Sequence, residues 1–158
     1  MQLTPLGAQV AQMGPAERKE HAGKLISGAT NIQAYTNGVC YDAAAFVTFL
    51  NSTRIKPADI PRKSGEAWTS VLAFKSGKKW DGKERLSPGK AVGFFRLNDQ
   101  KFFHAAVAVG STNVRAVNGH KLGAGWQTVD IKKVLGEPDE DSAFEYDNAK
   151  IEVWISRL

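Results

Sequence analysis

The chain has 158 residues, 42% of them apolar, and 21 lysines and arginines against 16 aspartates and glutamates, a net charge of +5. This length suits one domain and this apolar fraction suits a packed core, which excludes a disordered chain and two full-sized domains. No apolar run approaches the roughly 20 residues that span a bilayer, and the single cysteine, Cys40, excludes an intramolecular disulfide and any zinc site built on several thiolates.

In chain order, residues 1–14, with Pro5, Gly7 and Gly14, read as a loose lead-in to a single domain over 1–158. The start, Met1-Gln2-Leu3-Thr4-Pro5, has neither the basic nor the apolar region of a classical signal peptide, so a cytoplasmic chain is expected in the producing cell. Pro15 fits the first position of a helix that Gly28 stops, with His21 facing solvent. Thr36-Asn37-Gly38 is a turn. After it, three alanines and the spacing of Phe46, Phe49 and Leu50 predict a buried helix with Cys40 at or just before its first turn. Residues 51–88 are polar and broken by prolines and glycines, with one short helix from Trp68 to Phe74.

Ala91 to Leu97 reads as a buried strand, Asn98 to Lys101 as a hairpin loop, and Phe102 to Val109 as a second apolar strand. Further strands are expected over 114–118, 126–131 and 150–155. Helices followed by an antiparallel meander predict an α+β fold.

Charge is unevenly spread. The charged residues of 54–85, from Arg54 to Arg85, are mostly basic, nine against four, and could meet nucleic acid or an anionic wall polymer, although a solvated surface explains them as well. Residues 137–149 are acidic and lack the regular spacing of a calcium loop, so they read as an exposed loop. Three scattered histidines do not make a zinc site, and no phosphate-binding glycine motif is present. No cofactor and no metal are expected.

A thiol serves as a nucleophile only as thiolate. A helix N-terminus favours that form, and a histidine alongside takes the proton. Cys40 and His104 are the candidate pair, against the plainer reading of both as core residues. The segment Leu86-Ser87-Pro88-Gly89-Lys90-Ala91-Val92-Gly93-Phe94-Phe95, followed after a loop by His104-Ala105-Ala106-Val107-Ala108-Val109-Gly110, resembles the NlpC-type cysteine peptidases and their CHAP-type relatives. Asn37-Gly38-Val39-Cys40-Tyr41-Asp42-Ala43 resembles the wider papain-like pattern, in which a turn delivers the cysteine to the central helix. Lys90 stands where the family turn carries aspartate, and Tyr41-Asp42 where a Ser-Gly pair is usual.

The resemblance implies a papain-like fold: N-terminal helices, with the cysteine at a helix N-terminus, packed on an antiparallel sheet. It implies Cys40 as nucleophile, His104 as base and Asn118 as the residue that orients the imidazole, with Asn113 and His120 as alternatives. The backbone N–H of Cys40, aided by Gln33 or Asn37, would form an oxyanion hole. Among Tyr41, Trp68, Trp80 and Trp126, the last is expected to wall the cleft. Asp42 reads as a first-turn carboxylate favouring the helix dipole.

The implied activity is amide hydrolysis through a thioester, on peptidoglycan or protein. The implied context is a bacterial toxin or effector delivered by a secretion system, with a cognate immunity or inhibitor protein as partner. A glutamine deamidase and a non-catalytic basic binding module are the alternatives. Nucleic acid is not an expected partner, because no nucleic-acid motif accompanies the basic stretch.

Overall fold

The computed structural model describes residues 1–52 and 55–158. Its helices are α1 (Pro5–Ala11), α2 (Pro15–Ser27), α3 (Cys40–Asn51), α4 (Trp68–Leu72) and α5 (Ile131–Leu135). Its strands are β1 (Lys78–Lys79), β2 (Ala91–Arg96), β3 (Lys101–Gly110), β4 (Asn113–Arg115), β5 (Val129–Asp130), β6 (Phe144–Tyr146) and β7 (Ala149–Ile155). The expected α+β class is the one found. Every strand pairing among the described residues is antiparallel, in the order β1-β7-β2-β3-β4-β5, with β6 also on β7.

Helix α3 is buried at every residue from Cys40 to Leu50. A helix apolar on all sides belongs in a core, and this one lies between α2 and the sheet. Ala91, Ala105 and Val107 meet it from β2 and β3, on one face of the sheet. Val92, Phe94, Ala106 and Ala108 point the other way, into a second cluster with Leu122, Ile131, Leu135, Phe144 and Ile151. Side chains alternate across a strand, so these two lists separate the faces of β2 and β3.

Helix α2 behaves as its sequence predicts. Pro15 opens it, and Gly28 closes it in the left-handed region at φ 82°, where glycine is favoured. Its C-terminal carbonyls are held from the sheet. The Arg115 guanidinium donates to the carbonyls of Ile26, Ser27 and Trp126 at 2.9, 2.9 and 2.8 Å, and Trp126 Nε1 donates to the Leu25 carbonyl at 3.0 Å.

Several expectations change. The lead-in is not loose: Thr4 caps α1 by accepting from the Gly7 N–H, and Gly7 lies so close to the Tyr35 backbone that a Cβ there would overlap it. His21 is half-buried rather than solvent-facing, with Nδ1 2.9 Å from the Tyr35 hydroxyl. The expected helix to Phe74 stops at Leu72, where Ala73 turns left-handed at φ 49°.

The strands expected over 114–118 and 126–131 shrink to β4 and β5, because the chain between them loops out and Trp126 adopts φ 69°. The acidic stretch is not all loop. It contains β6, and Asp147 and Asn148, at φ 52° and 60°, make the tight β6–β7 turn.

Of the basic stretch, Arg54 lies outside the described residues. Lys78 and Lys79 pair with Glu84 and Glu152 at 3.0 and 3.4 Å, and Lys75 lies 3.5 Å above the Phe95 ring centroid. These three basic side chains are therefore engaged within the chain. No helix among the described residues is long and apolar enough to cross a membrane.

Candidate functional site

Cys40 is the first residue of α3, as the turn before it predicts. The chain reaches it through side-chain hydrogen bonds. Thr36 Oγ1 donates to the Gln2 carbonyl at 3.0 Å and accepts from the Gly38 N–H at 3.1 Å. Asp42 Oδ2 then accepts from the Val39 N–H at 2.9 Å, satisfying one of the amides that a helix start leaves free. Its other oxygen accepts from Trp68 Nε1 at 2.9 Å. Asp42 is 3% exposed, so it is more than a dipole-complementing charge: it ties the turn before Cys40 to α4. Gly38 is required there, since a Cβ would overlap the Asp42 side chain.

The Cys40 thiol itself is buried, and burial pushes its pKa above the ordinary value. Main-chain groups of Ala105 and Tyr41 pull it back down without prevailing, and the Asp42 charge adds to the rise. The helix start alone does not produce a resting thiolate. Tyr41 is buried, and its hydroxyl has no hydrogen-bond partner. Burial pushes the Tyr41 pKa up as well.

His104 lies on β3 opposite Phe94 of β2, with ring centroids 5.3 Å apart. Phe94 belongs to the cluster away from α3, so the imidazole projects to the face opposite Cys40. The expected contact between the Cys40 sulfur and a His104 nitrogen is therefore absent. The alternation that places Ala105 under α3 sends His104 through to the other side.

His104 Nε2 is 3.0 Å from the Leu122 carbonyl. A carbonyl only accepts, so Nε2 carries the proton and Nδ1 is left with its lone pair. Nδ1 is buried and has no partner. Burial pushes the His104 pKa down to about 4, with the nearby His120 adding to the fall and the Leu122 carbonyl opposing it. The imidazole is neutral at pH 7.

The other predicted residues do not gather around Cys40. Asn118 does not orient the imidazole; the Leu122 main chain does, and Asn118 is exposed in the left-handed region at φ 58°. Asn113 sits at the start of β4. Gln33 and Asn37 are exposed on the approach to α3, their main-chain N–H groups on Asn31 Oδ1 and the Gln2 carbonyl. Trp126 is 3% exposed and clamped to α2, so it is a core residue and not a cleft wall. Trp68 and Trp80 are fully buried. Lys90 reaches the Arg157 carbonyl at 3.0 Å.

The structure instead gathers Arg96, His104, Asn118, His120, Tyr146 and Asp147 around a cavity of about 150 Å³. Of these, His104, Asn118 and His120 are residues the sequence singles out. Arg96, Tyr146 and Asp147 are not, although the Asp-Asn pair between Tyr146 and Ala149 is a hairpin signal that brings β6 and β7 together there. Gly119 packs against the His104 ring so closely that any Cβ would overlap it. Among the described residues, no group of three or more His, Cys, Asp or Glu is placed to hold a metal ion.

No protein-family model matches the chain, and no curated protein is similar to it in sequence.

Proposed function

We propose that the chain is a cysteine-nucleophile hydrolase of amide bonds. Support comes from one observation above the others: Cys40 is the first residue of the buried helix α3, with main-chain groups of Ala105 and Tyr41 turned to its sulfur. That is where a helix favours developing negative charge. In the reaction the thiol gives up its proton as sulfur bonds to the substrate carbonyl. The amine leaves with a proton, and water then splits the thioester and restores the thiol.

Resting Cys40 is a neutral thiol and resting His104 a neutral imidazole on the other face of the sheet. Activation therefore has to come with the substrate-bound state. The resemblance near His104 favours peptidoglycan as substrate, against Lys90 and Tyr41-Asp42, which depart from the family pattern; protein cleavage and glutamine deamidation are the alternatives, and the fold-level analogy adds a toxin or effector role with a cognate inhibitor.

Two experiments separate these substrates. Purified protein should release muropeptides from sacculi, and bacteria should lyse only when the chain carries an added export signal. Killing from the cytosol with the wall intact would move the substrate to protein. Neither muropeptide release nor killing in either compartment would remove the hydrolase.

A fold used for binding rather than catalysis is the second reading. It is favoured by the separation of Cys40 and His104 onto opposite faces and by the raised pKa of the thiol.

A further inference from the structure

A groove of about 350 Å³ lies where the approach to β1, the turn before β2 and the end of β7 meet. Four of the side chains that line it are basic, Lys78, Arg85, Lys90 and Arg157, against one carboxylate, Glu84. Contacts link these groups. Lys78 Nζ lies 3.0 Å from Oε2 of Glu84, the chain neighbour of Arg85. Lys90 Nζ donates to the Arg157 carbonyl at 3.0 Å. Arg157 is two residues beyond Ile155, which pairs with Lys78 in β1 and with Val92 in β2.

The walls are fixed by main-chain hydrogen bonds. Ser87 to Lys90 is a tight turn closed by the Lys90 N–H on the Ser87 carbonyl at 3.2 Å, with Gly89 at φ 90°. Ala108 of β3 holds that turn, its carbonyl accepting from the Gly89 N–H at 2.9 Å and its N–H donating to the Lys90 carbonyl at 2.8 Å. On the other wall the Ser156 N–H donates to the Ala91 carbonyl at 2.8 Å, and its hydroxyl to the Leu72 carbonyl at 2.6 Å.

The charge of this groove is not cancelled internally. Lys78 matches Glu84. Lys90 spends one N–H on a neutral carbonyl, and neither it nor the exposed Arg85 pairs with a carboxylate among the described residues. Ser76 and Ser87 add exposed hydroxyls. An ammonium ligand would be repelled. A carboxylate brings one negative charge and two oxygens. A phosphate monoester brings about −1.5 to −2 at pH 7 and three acceptor oxygens, and is drawn more strongly to arginine and lysine. The volume falls within the roughly 300–1,000 Å³ of small-molecule sites.

We infer that this groove binds a small phosphate monoester, held by the charges of Arg85 and Lys90. The site does not depend on chemistry at Cys40, and it would serve a hydrolase or a binding fold alike.

The test is a titration of the ¹⁵N-labelled full chain with glycerol 3-phosphate, and with acetate at matched ionic strength, followed by backbone amide resonances. Glycerol 3-phosphate should move the amides of Gly77, Ser87 and Arg157 saturably, and less tightly as salt rises. Acetate should give no saturable shift. Arg85→Gln and Lys90→Gln should each weaken binding several-fold with the urea midpoint nearly unchanged, since Arg85 is exposed and a glutamine amide can still donate to the Arg157 carbonyl. Lys132→Gln removes the same charge from α5, outside the groove, and should leave binding unchanged. No saturable shift, an equal response to acetate, or an equal loss in Lys132→Gln would each overturn the assignment. Tighter binding of a single-stranded oligonucleotide to the same amides would overturn it in favour of a phosphodiester polymer.

Discussion

Under the proposed hydrolase function, Cys40→Ala is expected to lower amide hydrolysis on the order of 10⁴-fold or more, because removing a covalent nucleophile leaves only binding and polarisation. The fold should survive. Cys40 packs as a small buried residue, 6% exposed, at the start of a helix anchored by Asp42, so alanine should cost about 1 kcal/mol, typical of a point substitution. Activity and stability are thus separable in one variant. Measured turnover should collapse while the urea midpoint moves little. If Cys40→Ala remains as active and as toxic to bacteria as the wild type, the nucleophile and the hydrolase fail together, and a binding fold takes their place.

The second large effect is on stability against acid. Folding holds His104 neutral, with its pKa moved from the ordinary 6.5 down to about 4. Below pH 6.5 the unfolded chain takes up a proton at this position that the folded chain refuses until near pH 4. Across that window the unfolded state binds more protons, so stability falls as pH falls. The loss from this residue should total roughly 3 kcal/mol by pH 4.

His104→Gln keeps an N–H for the Leu122 carbonyl and removes the titration. Urea unfolding of both proteins at pH 7 and pH 4 should show a correspondingly flatter dependence in the variant. Parallel pH profiles would mean that His104 is not held neutral by the fold.

Much of the architecture is written locally. The alanine run and the Phe46, Phe49 and Leu50 spacing specify α3, and the apolar runs from Ala91 and Phe102 specify β2 and β3. Which face His104 takes is not local. Period-two alternation fixes that it opposes Ala105, but only the docking of α3 onto Ala105 and Val107 decides which face is which. Helix α1 was hidden for a similar reason. Its Gly7 has poor helical propensity, and its stability comes from packing on the Tyr35 backbone.

Trp126 looked like a cleft residue because a glycine-rich approach precedes it, yet its indole N–H is spent on the Leu25 carbonyl. The orienting partner of His104 is a main-chain carbonyl, which no side-chain pattern announces. The cavity depends on β6, concealed in an acidic segment whose charges suggested a loop.

Because Cys40 is the chain's only cysteine, every thiol adduct reports on it. Intact-mass kinetics with a peptide-derived chloromethyl ketone, in buffer and in urea, test the nucleophile most directly. A nucleophile should form a single adduct in the folded chain, at a rate that saturates with probe concentration and exceeds that of the unfolded chain. A folded chain left untouched, with labelling that appears only as urea unfolds it, would make Cys40 an inert core thiol and contradict the hydrolase.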